Sequence, residues 1–294
     1  MRKLSIALLT LLLAYGISLA QPTAPTLRIV TEDPNLPSEL FYGDIKVKPL
    51  RLRPGTNTPI TINDHDFFVQ QQYIDFLDRQ PEAGGFAAWK KVLDDCQNAF
   101  AHHSEVQFAQ CDRIAVSASF FLSDEFRAKG YFVYRYYRAT LDRLPKYAEI
   151  KPDMRAVTGL TGDERIAKQN AFADAWVTRS EFAQKYPASL GTADLVNQLE
   201  ATSKVTLANK AQFLIDNAGK TQAQIVRAFV ESHEVTARFY NEAFVAMQYF
   251  GYLRRDPDAD GFAAWLRVLD ANPADARVMI WGFIYSTEYT KNRF

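Results

Sequence analysis

Cysteine is nearly absent from this chain of 294 residues: Cys96 and Cys111 are the only two. That excludes a disulfide-dense scaffold and any cysteine-rich zinc module. An excess of charge of either sign is also missing, with 34 Lys and Arg against 34 Asp and Glu. The balance gives no electrostatic reason to expect nucleic acid or an anionic lipid surface as partner. Beyond residue 20 no apolar run is long enough to cross a bilayer. There is no G-x-S-x-G elbow, no H-E-x-x-H and no glycine-rich phosphate loop, so the sequence-legible serine hydrolase, metalloprotease and nucleotide-binding classes lose their signatures. A glycosidase-type carboxylate pair leaves no such signature, and 34 acids offer many pairs.

What is present begins with "MRKLSIALLTLLLAYGISLA", in which Arg2 and Lys3 precede an apolar stretch closed by the small residues Ser18 and Ala20. Residues 1–20 read as a secretory signal peptide, no lipoprotein cysteine following it, and residues 21–294 as the exported chain, destined for periplasm, cell surface or medium. Losing Arg2 and Lys3 leaves 32 basic against 34 acidic residues. In an oxidising compartment Cys96 and Cys111, 15 positions apart, are expected to form a disulfide, with two free thiols as the alternative.

The chain says one phrase twice. Residues 69–94 and 245–270 align at an offset of 176 with 15 of 26 positions identical, among them Arg79 with Arg255, Pro81 with Pro257, Gly85 with Gly261 and Trp89 with Trp265. The front half returns at "VYRYYRATLDRLP", which carries Tyr137, Leu141, Arg143 and Pro145 on the same positions and then departs. A second signal recurs as "FFLSDEF", "WVTRSEF", "FVESHEV" and "FIYSTEY", whose glutamates Glu125, Glu181, Glu234 and Glu288 are 56, 53 and 54 residues apart. Four terminators at a period near 54 imply four units, the third having lost its arginine and proline.

Val69, Tyr73, Phe76 and Leu77 fall on one helical face that the Arg-x-Pro stops, and Phe86, Trp89 and Leu93 mark a second helix after the glycine turn. A third helix ends at the aromatic terminator, where Ser123, Ser232 and Ser286 are expected as N-caps of the next. The expected fold is therefore all-α: a tandem array of about four three-helix units at 65–130, 131–186, 187–239 and 240–294, each buried by stacking on its neighbours. Residues 21–64 hold seven prolines and are expected to be an extended leader, with "ELFYGDIKVKPLRLRPG" as a short ribbon.

Tyr-x3-Leu-x-Arg-x-Pro, then Gly-Phe-x-x-Trp, then an aromatic followed by Ser-x-Glu-Phe, resembles the bacterial family called domain of unknown function 4214. Tyr73 to Pro81, Gly85 to Trp89 and Phe120 to Phe126 carry the resemblance, as do Tyr249 to Trp265 and Phe283 to Tyr289. It implies an all-helical fold similar to the phycobilisome linker, in proteins that are exported or surface-associated, and it brings no catalytic residues.

"DPDADG" places Asp256, Asp258 and Asp260 at the first, third and fifth positions of a calcium loop, but Arg267 stands where the bidentate glutamate belongs. The matching "QPEAGG" has no aspartate, so the expected reading is a turn in which Asp260 caps the next helix, with weak calcium binding as the alternative. Trp89, Trp265, Tyr73 and Tyr249 are expected in the core, the other reading being sugar platforms. Arg79, Arg143 and Arg255 are expected to cap carbonyls or to pair with the terminal glutamate of their own unit, as Arg255 with Glu288. His102, His103 and Glu105 fit no trusted zinc spacing and are expected in a polar loop. Together these features lead to an exported, non-catalytic array, without cofactor unless calcium, that binds an envelope or extracellular protein or glycan in the manner of an adhesin or surface-layer protein. An enzyme acting on envelope polysaccharide and a calcium-dependent surface-layer component are the alternatives.

Overall fold

The structure is a computed structural model that describes residues 60–101, 111–159, 161–272 and 276–293, together with the backbone of three short strands upstream. Strands β1 (Leu27–Val30), β2 (Glu39–Tyr42) and β3 (Ile45–Val47) form one antiparallel sheet in the order β1-β2-β3, with Leu27 opposite Tyr42 and Tyr42 opposite Ile45. Of the ribbon expected over residues 39–55, the β2–β3 pair covers 39–47, and the remainder lies outside the described residues. Strand β1 is an addition that the count of prolines concealed. The rest of the leader up to residue 59 lies outside the described residues.

From residue 60 onward the described residues are predominantly helical. Helix α1 (His65–Gln72) runs into a π-helical turn at Tyr73–Leu77, and α2 (Ala83–Ala101) and α3 (Arg113–Leu122) follow. A short turn (Asp124–Phe126) and a π-helical turn (Arg127–Tyr131) lead into α4 (Phe132–Leu141). Next come α5 (Tyr147–Ala156), α6 (Gly162–Val177), α7 (Ser180–Lys185), α8 (Thr192–Ser203), α9 (Lys210–Asp216), α10 (Gln222–Val230) and α11 (His233–Arg238). Helix α12 (Tyr240–Gln248) ends, like α1, in a π-helical turn, Tyr249–Leu253, before α13 (Ala259–Ala271), α14 (Ala276–Ile284) and a last π-helical turn, Glu288–Arg293. No described helix is long and apolar enough to cross a membrane.

Capping follows the sequence signals. Ser123, Ser232 and Ser286 accept hydrogen bonds from Phe126, Val235 and Tyr289 backbone N–H groups at 3.1, 3.3 and 3.0 Å. The first helix of the phrase stops where the backbone turns left-handed, at Asp78 (φ 53°) and Arg254 (φ 51°), with the same turn at Asp142 (φ 53°) and Lys204 (φ 57°). All four are non-glycine residues, for which this conformation is unfavourable by about 1 kcal/mol or more, so tertiary contacts must hold them there.

Packing is not sequential along the chain. The two most similar stretches, 176 residues apart, touch. Phe76 meets Tyr252 edge to face at 4.9 Å, and Phe121 meets Phe244 at 5.1 Å. Ser117 donates to Gln72 Oε1 and bonds the Tyr252 hydroxyl, and Arg254 Nη2 reaches the buried Asp75 at 3.2 Å. Gly251 makes this approach possible, because a Cβ there would overlap the Phe76 ring. The middle of the chain joins through Arg138 on the buried Glu242 (2.7 Å) and through Lys151 and Arg155 on the buried Asp78. The fold is closed, first part on last.

Candidate functional site

Three arginines sit just after left-handed turns, and each clamps a glutamate from a later helix. Arg79 Nε and Nη2 donate to the two oxygens of Glu125 at 2.8 and 2.7 Å. Arg143 does the same to Glu181 at 2.7 and 2.7 Å, and Arg255 to Glu288 at 2.6 and 3.1 Å. The third side of each guanidinium takes an acid beside it, Glu82, Glu149 or Asp258, and a neighbouring carbonyl, of Gln80, Leu144 or Asp256. Each guanidinium also lies over a tyrosine: Tyr73, Tyr137 and Tyr249, at 4.9, 5.0 and 5.1 Å. These rings meet the terminator aromatics Phe120, Trp176 and Phe283 edge to face at 4.9, 4.8 and 5.0 Å. Of the two expected roles, glutamate pairing is present in all three, whereas the carbonyl each contacts belongs to the residue just after the arginine and not to the helix end.

The clamps fix their electrostatics. Burial pushes the Glu125 carboxyl up, but Arg79 and Lys129 outweigh it and hold the group below the usual carboxylate range. Tyr73 is pushed up to about 12 by burial and by Glu82, and Tyr249 to about 12 by burial and by Asp258. Arg79 is raised because it donates to Glu125.

Where the third arginine and proline are missing, Val205 and Leu207 stand in their place and are buried. Glu234 there accepts the Ala208 backbone N–H at 2.9 Å, and Glu200 accepts that of Leu207 at 2.8 Å. The left-handed turn at Lys204 survives without its clamp.

The shared glycine has a steric reason. A Cβ on Gly85 would overlap the Tyr73 hydroxyl and the Glu82 carboxylate, and one on Gly261 would overlap the Tyr249 hydroxyl and crowd Asp258. Trp89 and Trp265 are half-buried, packed on Phe120 (5.7 Å) and Phe283 (6.1 Å). Pro81 and Pro257 lie between the clamp and the next helix. The aspartate that closes each phrase ties it to the helix that opens it: Asp94 accepts from His65 at 2.8 Å, and Asp270 from Asn241 at 2.8 Å. Sequence reasoning missed this tie, although His65 and Asn241 are also 176 residues apart.

The aspartate loop divides its work. Asp258, not Asp260, is the N-cap of α13, accepting the Gly261 N–H at 2.8 Å, because the helix begins at Ala259 and a cap must reach three residues on. Asp256 accepts the Tyr147 N–H at 2.5 Å, and Asp260 sits in the first helical turn. Among the described residues no group of three His, Cys, Asp or Glu is placed to hold a metal ion. Cys96 and Cys111 sulfurs lie 2.10 Å apart, a disulfide. His102, His103 and Glu105 lie outside the described residues.

A groove of about 590 Å³ opens where the turn before α4 faces the start of α6 and the α10–α12 corner. Arg127, Arg135 and Arg165 line it beside Tyr131, Ile166 and Tyr240. Arg135 donates through Nε to the Val230 carbonyl at 2.7 Å, and burial pulls its pKa down. Of the groove's two acids, Asp124 and Glu231, the second is taken by Arg227 at 3.0 Å. Most described arginines pair with a carboxylate within 4 Å, yet Arg127, Arg135 and Arg165 do not. Nothing in the sequence marked this groove, since its lining comes from four separate stretches without a shared spacing.

No curated protein and no solved structure matches the chain. Residues 228–293, which hold the α12–α14 region with the Arg255–Glu288 clamp, match the model of one family, described as a domain of unknown function (DUF4214).

Proposed function

We propose that the protein is an exported, non-catalytic binding scaffold built from four copies of one helical unit, in the manner of the DUF4214 region at its end, and that it captures an envelope or extracellular partner. The observation that carries this reading is the division of labour among charged residues. The motif arginines Arg79, Arg143 and Arg255 are consumed by intramolecular clamps, while three other arginines line an open groove without an ion-pair partner among the described residues. Residues that repeat hold the fold, and residues that do not repeat are left for recognition. Immobilised residues 21–294 should retain a component of cell-envelope extract, and a chelator arm of the same experiment reads any contribution of calcium at Asp256, Asp258 and Asp260. Retention of nothing from either the protein or the glycan fraction would overturn the reading.

One observation favours a second reading, an enzyme acting on envelope polysaccharide: Asp124 and Glu231 line the same groove. Release of reducing ends from envelope glycan by the wild-type protein, abolished by Asp124→Asn, would establish it.

A further inference from the structure

We propose, building on the binding reading above, that the groove bounded by Arg127, Arg135, Arg165 and Tyr240 is a site for an acidic sugar, a pyranose that carries a carboxylate. The arginines supply the first half of the argument. Among the described residues the guanidinium groups of the exposed Arg127 and the half-buried Arg135 and Arg165 have no carboxylate at ion-pair distance, and outside the groove the same holds only for Arg113, which donates to Asn63 and Tyr285, and for the exposed Arg267. Arg135 is the telling member. It is mostly withdrawn from solvent, which disfavours its charge, and only its Nε finds an acceptor, Val230 O. A guanidinium has five donors in a planar fork that matches a carboxylate bidentately, so an arriving carboxylate would satisfy what the fold leaves open.

The rings supply the second half. Tyr240 is 37% exposed and stacks on the buried Tyr131 at 5.3 Å with the planes 16° apart, and both rings line the groove. A pyranose ring has an apolar C–H face of that size, and its carboxylate would project into a groove that the three arginines also line. The groove walls are helices and their ends, not strands. They offer no strand edge to hold an extended peptide, so recognition falls to side chains. The volume of about 590 Å³ is that of a small-ligand site, enough for a short saccharide.

The test is calorimetric titration of residues 21–294 with trigalacturonate, beside maltotriose as the neutral sugar and hexaglutamate as the acidic peptide. Trigalacturonate should bind saturably and more weakly as salt rises, while maltotriose and hexaglutamate give no saturable heat. The Arg127→Gln, Arg165→Gln double variant should bind trigalacturonate roughly tenfold or more weakly, as expected for lost charge-assisted hydrogen bonds. Both side chains reach the surface, and an unchanged thermal midpoint will show that the fold is intact. Tyr240→Ala, on the rim, provides a second variant that should lose affinity without losing the salt dependence. No binding of trigalacturonate, equal binding of hexaglutamate, or unaltered affinity in both variants overturns the assignment. Envelope capture that survives the arginine double variant would overturn it while leaving the scaffold reading standing, whereas loss of capture by the wild-type protein removes both.

Discussion

The arginine clamp shows what a single residue contributes here. Its three versions differ in exposure: the side chains of Arg79 and Glu125 are 28% and 31% exposed, those of Arg255 and Glu288 39% and 40%. Exposed pairs contribute little, roughly 0.2–1 kcal/mol, because water and salt screen them. A double-mutant cycle should therefore find the larger coupling for Arg79 with Glu125, which also holds the buried Lys129 at 2.6 Å, and the smaller for Arg255 with Glu288. Equal couplings would mean that Lys129 adds nothing. At the aspartate loop, Asp258→Ala should lower stability by about 1 kcal/mol through loss of the cap, and by the same amount in calcium and in chelator. Asp260→Ala should do less, because the cap of α13 is Asp258.

At the scale of elements, the π-helical turns and the carboxylates beside them set the response to mutation and pH. Gly251→Ala puts a methyl group into Phe76, and overpacking of this kind costs roughly 1–3 kcal/mol or more; a drop in urea midpoint without change in slope would register it. Glu125, Glu149, Glu181 and Asp78 all have folded-state pKa values below their ordinary ones, against the upward pull of burial. A depressed carboxyl stabilises the fold above its unfolded pKa, and that contribution disappears as pH falls through the folded value. The thermal midpoint should therefore fall as the solution is acidified below the ordinary carboxylate range. Arg79→Gln should flatten that fall, because it removes a main cause of the Glu125 depression. The Cys96–Cys111 disulfide closes a short loop between α2 and α3, and reduction should lower stability by roughly 3 kcal/mol on loop entropy.

The whole molecule is closed by contact between its first and last parts, and a linear row of units would behave differently on truncation. Removing residues 240–294 would uncover Phe76, Phe121 and the buried Asp75, which meet Tyr252, Phe244 and Arg254. Residues 21–239 should consequently be protease-sensitive and aggregation-prone throughout, where a linear array would lose only its end. Limited proteolysis of the truncated chain decides between them: a stable core fragment would show that the closing contact is dispensable.

Helical composition, the two phrase copies, the serine caps and the arginine–glutamate partners were legible in the sequence because each rests on spacing along one chain: a helical face repeats every three or four residues, a cap reaches three residues on, and a motif copied at a fixed offset keeps its neighbours. The choice of Asp258 over Asp260 as cap turned on a helix start that shifted by two residues, which periodicity does not resolve. The contact of Gly251 with Phe76, the Asp75–Arg254 pair and the gathering of Arg127, Arg135 and Arg165 around Tyr240 were decided by tertiary structure alone. Local spacing determines which face of a helix is apolar. Which other face it finds, and which charges are left without partners when it does, depends on how distant parts of the chain close on each other.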